Sequence, residues 1–387
     1  MIPFDYKLLL IRLLPETILV VGALIALFLD QTQASAWKPE SRSCVAGIIG
    51  AITIFFGGFA VWQSTPGTFY SGVLAITPFI KLVRITLLLL AGATLLIAAP
   101  SRFTVHIGEY TALLLLATVG LILLVATEEL LTAFISLELT SLSLYLLTAF
   151  NKQNIHSAEA ALKYFLFGSI AAAFTLFGIS LVFGLSGSTT FGVIAAGLRN
   201  TELNSLLITA IVLVAVGFGF KMAVAPFHLW APDAYQGAPV PSAALIASGS
   251  KLASLILFLK FFVFALPAQA GSAALENPVR GWTMTIAAIS AASMICGNLL
   301  AIAQSNFRRL LAYSAVAHAG YALLAVLARN ENGAASAVYY MFTYGLTVVG
   351  IFGIVGLIEE RHGELTIGEF AGLSRRAPVL AIPLFVF

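Results

Sequence analysis

The clearest candidate for chemistry is a lysine inside an otherwise apolar stretch. Lys221 lies within residues 206–230, and Pro226 interrupts the same stretch five residues later. A charged amine at membrane depth is costly unless it is paired or hydrated, so such residues usually mark a proton or ion path. A proline in a membrane helix frees backbone groups that a neighbouring helix or a wet cavity must satisfy. The two features predict a polar centre halfway through a bilayer.

A histidine lies on the other side of the same proline. His228 follows Lys221 by seven residues, and Ala225, directly before Pro226, should leave helical geometry. Imidazole titrates near neutral pH, and an amine taken out of water can also gain and lose a proton in that range. A single histidine in a membrane helix is more often a packing residue. Its position beside a broken helix and a lysine favours a place in a proton relay.

A carboxylate occupies a second apolar stretch, residues 130–145. Glu138 lies near its middle, and Ser141 and Tyr145 follow at i+3 and i+7 on the same helical face. A carboxylate in hydrocarbon must find a cation or stay protonated. We therefore expect Glu138 to belong to the relay, with Tyr145 as a secondary candidate. The alternative is a static ion pair that joins two helices.

Three more ionisable residues are candidates. Lys163 follows Glu159 by four residues, a spacing that favours an ion pair within one helix and is also compatible with a solvated helix start. Lys251 lies deep within residues 239–266 and is predicted, like Lys163, to belong to the relay. His318 is a secondary candidate that is equally compatible with a packing role.

The other basic residues of the apolar stretches are interpreted as structural. Lys260 lies close enough to the end of its stretch to reach the interface, and Lys81 and Arg84 are expected to be interfacial or paired. The two cysteines, Cys44 and Cys296, are far apart and no motif surrounds them. They predict neither a disulfide framework nor a metal site.

Composition identifies the class of protein. Of 387 residues, 60% are hydrophobic and only 10% are charged, far below the proportion of about a quarter that is usual in soluble domains. An all-α polytopic membrane protein fits these values. The net charge of +3 is too small and too scattered for nucleic-acid binding. Few histidines and no Cys/His cluster leave no visible redox centre in this chain.

Eleven stretches are long enough to cross a bilayer as helices of about 20 residues. They cover residues 13–29, 44–63, 74–98, 110–126, 129–149, 158–184, 205–230, 239–266, 281–302, 310–328 and 334–358. A twelfth run, 378–387, stops after ten residues, so we expect the sequence to be a fragment. An outward N-terminus would place nine basic residues in inner segments and five in outer ones, which favours that orientation.

Four segments of the sequence resemble the antiporter-like membrane subunits of respiratory complex I, the proton-pumping NADH:quinone oxidoreductase, and subunit 2 (subunit N in bacteria) in particular. The segments are Phe134–Leu139, Ser157–Phe165, Phe220–Pro239 and Arg309–Tyr321. The segment around Pro226 is typical of the whole superfamily, and the segment with Lys163 favours subunit 2. The resemblance extends from about residue 14 to the end.

The resemblance implies a fourteen-helix fold with two inverted five-helix repeats and a broken seventh helix. It divides the chain into a three-helix segment (1–109), a first repeat (110–270) and part of a second repeat (279–387). A further relay lysine, on the twelfth helix, would lie beyond the end of this chain. Family members tend to have an acidic residue where this chain has Ala75–Phe79, which leaves the partner of Lys81 open.

The resemblance also implies the roles of the buried charges. Glu138 would lie on the fifth helix, Lys163 on the sixth, Lys221 on the seventh and Lys251 on the eighth, in one hydrated lateral relay. The implied activity is that of a translocase subunit that moves protons across an energy-transducing membrane, most simply the bacterial inner membrane. NADH, FMN, iron–sulfur clusters and quinone would bind partner subunits of the membrane arm and the peripheral redox arm, and no cofactor is expected in this chain.

Two alternatives from other functional classes stay open. A cation/proton antiporter subunit of the multisubunit sodium–proton type shares the broken-helix lysine, so that residue does not separate the two functions. A scaffold whose buried charges only lock helices together is the other alternative. Against the scaffold, four deep ionisable residues are a costly way to make helix contacts that small residues provide. A relative that accepts electrons from ferredoxin is a closer variant of the first function.

Overall fold

The computed structural model of the protein describes residues 6–32, 37–101, 103–274, 276–363 and 365–386. Its long apolar runs fold as helices, because in a bilayer each backbone N–H and C=O must find a partner within the protein. Within the described residues, eleven helices are long and apolar enough to cross a membrane. They correspond one for one to the eleven predicted stretches.

The elements before the break are helices with one small hairpin. They are α1 (Tyr6–Arg12), α2 (Leu14–Gln31), α3 (Pro39–Gln63), β1 (Gly67–Phe69), β2 (Leu74–Ile76), α4 (Pro78–Ala98), α5 (Ile107–Ala126), α6 (Leu130–Thr148), α7 (Ile155–Ser186), α8 (Phe191–Gly197) and α9 (Ser205–Met222). Short 3-10 turns occupy Tyr70–Gly72 and, later in the chain, Ile367–Phe370.

The elements after the break are all helical. They are α10 (Ala231–Gly237), α11 (Val240–Ala265), α12 (Trp282–Ile302), α13 (Phe307–Leu327), α14 (Glu331–His362), α15 (Leu373–Arg376) and α16 (Pro378–Val386). Helix α11 is continuous but contains two wide π-helical turns, at Ile246–Ser250 and Lys260–Ala265. Such turns often occur at functional sites.

The start of the third predicted stretch was wrong. Residues 74–76 form strand β2, which pairs antiparallel with β1 so that Gly67 lies opposite Ile76. Helix α4 begins only at Pro78, and the Thr77 side chain accepts a hydrogen bond of 3.1 Å from the backbone N–H of Ile80. A threonine cap followed by proline is a strong helix start, and it overrides the continuous apolar run.

The seventh stretch is broken as predicted, although earlier than Pro226. Helix α9 ends at Met222 because Ala223 adopts the left-handed conformation, with φ of 55°. Residues 224–230 form turns, and the short helix α10 then continues the chain. The prediction of one span to residue 230 was therefore wrong in its last eight residues.

Helices α5 and α11 form the centre of the bundle. The membrane-spanning part of α11 is entirely buried, and α5 is the next most buried of the spans. Helices α7 and α12, by contrast, expose most of their apolar surface, as expected for helices that face lipid. Since α11 carries Lys251, this relay candidate lies in the most enclosed part of the fold. The predicted domain boundaries at residues 109, 270 and 279 stay predictions.

Candidate functional site

The break between α9 and α10 is stabilised by side chains from other elements. The backbone N–H of Ala225 donates to Ser293 Oγ of α12 at 2.9 Å, and the Trp230 indole N–H donates to the carbonyl of Phe220 at 3.1 Å. These bonds satisfy backbone groups that the interrupted helix leaves free, as membrane burial requires. The break is therefore a built feature, fixed by contacts on both sides.

Lys221 lies in the last turn of α9, directly before the break, and is almost completely buried. Its ammonium donates to Ser141 Oγ of α6. It also lies 5.4 Å from the ring centroid of Tyr145 and 5.8 Å from that of Tyr164, within the range of cation–π attraction. A hydroxyl and aromatic faces thus surround the amine.

Glu138 is the nearest charge of opposite sign along α6. It lies one turn before Ser141, is half-buried, and interacts electrostatically with Lys221 without a direct ion pair. The predicted polar face of α6, formed by Glu138, Ser141 and Tyr145, therefore faces Lys221. The structure brings these four residues together.

Lys251 connects the break to the second half of the chain. It is 1% exposed, and its ammonium donates to the carbonyl of Met222 at 3.1 Å and to that of Ala315 on α13 at 3.0 Å. Met222 directly follows Lys221, so Lys251 contacts the backbone one residue after Lys221. Lys251 also directly follows the first π-helical turn of α11.

His228 and His318 both interact electrostatically with Lys251. His228 is buried, and neither of its ring nitrogens has a hydrogen-bond partner among the described residues. The His318 Nδ1 shares a hydrogen bond of 2.5 Å with the Tyr340 hydroxyl. His318 also lines a polar cavity of about 360 Å³ with Leu311, Ser314, Tyr340, Thr343 and Tyr344.

Lys163 lies apart from this cluster. Its ammonium contacts Glu159 at 2.7 Å, as the i,i+4 spacing predicted, and Asp233 of α10 at 2.8 Å. The side chain is 41% exposed, and its ion pairs among the described residues join it to these carboxylates rather than to Glu138. The structure thus places Lys163 in an ion-pair network apart from Lys221 and Lys251.

Asp233 is the centre of that network and was not singled out from the sequence. It also accepts a hydrogen bond of 2.5 Å from Arg309 of α13. Partial burial opposes its ionisation, but the hydrogen bonds from Lys163 and Arg309 prevail and hold the pKa of Asp233 below its ordinary value. The signal in the sequence was present: Asp233 follows Pro232 in the first turn of α10, where an acidic residue favours a helix start.

Arg84 and Lys81, which were interpreted as structural, contact groups of the N-terminal helices. Arg84 is fully buried and forms an ion pair with Glu16 of α2. Lys81 donates to the carbonyls of Trp62 and Ser64 at the end of α3, at 2.5 and 2.9 Å. This contact supplies the partner that the sequence left open for Lys81.

Lys260 also binds the end of a helix. It is buried, and it donates to the carbonyls of Val125 and Thr127 at the end of α5, at 2.7 and 3.0 Å. The free carbonyls at a helix end carry partial negative charge and attract a cation. This helix end is a partner compatible with the structural interpretation of Lys260, which stays a prediction.

Comparison with known proteins identifies the kind of chain. The family model described as "NADH:quinone oxidoreductase/Mrp antiporter, TM" matches residues 126–387. NADH-quinone oxidoreductase subunit N 2 of Acidobacterium capsulatum is 44% identical, over 100% of this chain and 79% of its own length. Subunit N 1 of Rhizobium meliloti is 34% identical, over 96% of this chain and 76% of its own.

Two solved structures have a similar fold. A chain of respiratory complex I from Thermus thermophilus superposes with a TM-score of 0.75 and 29% identity, over 95% of this chain and 76% of that one. A chain of the Mrp complex from Dietzia sp. superposes with a TM-score of 0.78 and 20% identity, over 96% of this chain and 70% of that one. At 20% identity, the second likeness shows the fold alone. No comparison assigns roles to Glu138, Lys163, Lys221, His228 or Lys251, so their roles stay predictions.

Proposed function

The chain belongs to the NADH:quinone oxidoreductase/Mrp antiporter family of transmembrane subunits, and we propose that it translocates protons through the buried cluster around its broken seventh span. The relatives that are 34–44% identical are named as subunit N of NADH-quinone oxidoreductase. The chain is accordingly a multi-pass membrane subunit of that translocase, in the inner membrane in bacteria. The antiporter alternative is supported by the family model, whose description covers both functions, and by the fold, but not by the names of these relatives.

The proposal depends on one observation. The side chains of Glu138, Ser141, Lys221 and Lys251 and the carbonyl of Met222 form a polar line across the break, in which the amines have hydroxyl and carbonyl partners. A permanently paired amine keeps its proton, but an amine beside a hydroxyl can exist in either protonation state. Such a line is suited to passing a proton on.

The relay starts, in this proposal, with a change of charge near Glu138. A change at that carboxylate alters the electrostatic stabilisation of the Lys221 ammonium. Lys221 then releases its proton toward His228 and Lys251, and the proton continues toward His318. Tyr145 supports the Lys221 end of this path. Moving one charge against 100 mV requires about 2.3 kcal/mol, which is less than the free energy of a two-unit change in pKa. Coupled changes of proton affinity are therefore sufficient for the work.

The energy for these changes comes from redox chemistry elsewhere in the complex. In the proposal, partner subunits of the peripheral arm bind NADH, FMN and iron–sulfur clusters and reduce quinone, and neighbouring membrane subunits transmit the effect. Lys163, held by Glu159 and Asp233, is placed to sense charge at the inner end of α7 and α10. This chain's own residues only bind, hold and move protons.

The test is Lys221→Met in the assembled complex, in membrane vesicles. We expect proton pumping to fall by about a hundredfold or more relative to electron transfer, because a proton-transfer group is removed. The subunit content of the membranes should stay normal. Lys221→Arg, which keeps the charge but holds its proton, should fail to restore pumping. Lys152→Met, at an exposed position in the loop before α7, is the matched control and should pump normally.

Three outcomes would contradict the proposal. Normal pumping by Lys221→Met would exclude a relay through this lysine. Loss of the whole complex from the membrane, rather than loss of pumping, would support the scaffold alternative. Sodium-dependent transport that persists without NADH oxidation would favour the antiporter alternative.

A further inference from the structure

Five tyrosines from four helices lie near one another beside the lysine cluster. In spatial order, this tyrosine row consists of Tyr145 on α6, Tyr164 on α7, Tyr235 on α10, and Tyr344 and Tyr340 on α14. Each hydroxyl interacts electrostatically with the next one in the series. The residues lie up to 199 positions apart in sequence, so only the fold brings them together.

One end of the row contacts the lysine of the broken helix. The Tyr145 hydroxyl shares a hydrogen bond with Ser141, and Ser141 accepts from Lys221. The rings of Tyr145 and Tyr164 meet edge to face with centroids 4.6 Å apart. Gly168 leaves the space that the Tyr145 hydroxyl fills, since any β-carbon there would overlap it. This end is therefore tightly packed.

The middle of the row contains two hydroxyls without a hydrogen-bond partner among the described residues. Tyr164 and Tyr235 are both 0% exposed, and neither hydroxyl has a hydrogen-bond partner among the described residues. Burying a hydroxyl without a partner is costly, so buried hydroxyls are normally bound to protein or to ordered water. The Tyr164 ring is stacked on Trp230 at 4.1 Å, which fixes where its hydroxyl lies. Two such hydroxyls in one row are groups that ordered water usually satisfies in buried sites.

The other end of the row reaches the second histidine. Tyr344 and Tyr340 line the polar cavity that also contains His318. The Tyr340 hydroxyl and His318 Nδ1 are hydrogen-bonded at 2.5 Å, and the rings of Tyr344 and His318 lie 4.7 Å apart. The row therefore connects the same two regions as His228 and Lys251 do, by a different set of residues.

We propose that the tyrosine row is a second, water-bridged proton path between Lys221 and His318, parallel to the path through His228 and Lys251. This inference rests on the proposed function. At each tyrosine, a water molecule that carries the excess proton forms a new O–H bond to the hydroxyl oxygen. The hydroxyl's own O–H bond breaks toward the next water. The proton leaves the Lys221 ammonium and arrives at the His318 imidazole, no electrons move, and each phenol is neutral before and after.

A purely structural role for the tyrosines makes the opposite prediction. Phenylalanine keeps the ring, its stacking and its volume, and removes only the hydroxyl. If the rings merely pack helices together, Tyr164→Phe and Tyr235→Phe should leave proton pumping unchanged. They should not weaken the fold either, because their hydroxyls have no protein partner to lose.

The experiment measures proton pumping against electron transfer in membrane vesicles that contain the complete complex. We expect Tyr164→Phe and Tyr235→Phe each to lower the pumping rate by about twofold or more, since each removes a proton-transfer group from the path. The double variant should be no worse than either single one, because the two hydroxyls act in series. The melting temperature of the complex should stay the same or rise.

Tyr110→Phe is the matched control. Tyr110 is also fully buried, but its hydroxyl is hydrogen-bonded to Ser242 at 3.0 Å and lies outside the row. Its loss should lower the melting temperature and leave pumping unchanged. A second measurement uses Lys251→Met, which should block the path through Lys251 and leave the pumping that passes through the tyrosine row. Adding Tyr235→Phe to this variant should abolish the remaining pumping.

The outcomes separate this inference from the proposed function. Normal pumping in both row variants, together with lost pumping in Lys221→Met, would overturn the tyrosine path and leave the proposed function intact. Normal pumping in all three variants would overturn both. Reduced pumping that is matched by a reduced melting temperature or subunit content would also overturn the path, because it would show a structural role.

Discussion

The N-terminal helices α2–α4 and the region of the broken helix both bury basic side chains, but the partners of these side chains differ. Arg84 is paired directly with the Glu16 carboxylate. Lys221 has no carboxylate within ion-pair distance among the described residues, and donates to a serine hydroxyl. A carboxylate partner holds the cation in its charged form, whereas a hydroxyl can donate to a neutral amine as well as accept from a charged one. Arg84 and Lys221 are both buried, so the depth of burial alone does not distinguish a cation paired with a carboxylate from one held by a hydroxyl.

The strongest test of this comparison is Arg84→Met. It leaves Glu16 buried without its partner, which should destabilise the protein by about 3–5 kcal/mol and reduce the amount of assembled complex. The measurement is the subunit content of membranes together with the melting temperature of the purified complex. Adding Glu16→Leu should restore assembly, because the pair is then replaced by apolar side chains. If Arg84→Met assembled normally but no longer pumped protons, Arg84 would behave like Lys221, and the distinction between the two regions would be lost.

Lys260→Met sharpens the comparison, since Lys260 is as buried as Lys221 but binds only the end of α5. Loss of two charge-assisted hydrogen bonds should cost about 1.5–3 kcal/mol each at most, and lower the melting temperature. Protons pumped per electron should stay unchanged in the complex that assembles. A fall in that ratio would mean that burial alone is enough to make a lysine functional.

Asp233→Asn tests the ion-pair network of Lys163, Asp233 and Arg309 at the edge of the cluster. It is expected to have the smallest effect on stability. Because the folded pKa of Asp233 is below its ordinary value of 3.8, its ionised form stabilises the fold fully above pH 3.8. That contribution is lost as pH falls through the lowered pKa. The variant should therefore melt at a lower temperature than the native chain at pH 7, and the difference should shrink only below pH 3.8. A difference that shrinks near pH 6 would point to a histidine instead.

The sequence allowed the spans and the buried charges to be predicted, because both depend on local composition. Every span was located, and Glu138, Lys221 and Lys251 stand out against apolar neighbours. The end of α9 was placed too late because Ala223 takes its left-handed conformation in a region fixed partly by Ser293, which lies 70 residues further along. No local pattern contains that information.

The partners of the charges were harder to predict for the same reason. Ser141 and Lys221 are 80 residues apart, and Lys251 and Ala315 are 64 apart, so their contacts depend on how the helices pack. Of the tyrosine row, only Tyr145 was singled out from the sequence, because a tyrosine in an apolar run looks like an ordinary packing residue. Only the absence of partners for Tyr164 and Tyr235 within the described structure sets them apart.

The carbonyl of Met222 links the surroundings of the two buried lysines. The oxygen that receives Lys251 belongs to Met222, the neighbour of Lys221, and this peptide unit lies directly before the left-handed Ala223. This carbonyl belongs to the peptide plane that follows Met222, whereas the Lys221 side chain branches from the Cα atom one residue earlier. Only the φ and ψ angles of Met222 separate the two, so a displacement of the oxygen held by Lys251 would reach the base of the Lys221 side chain through one residue of backbone.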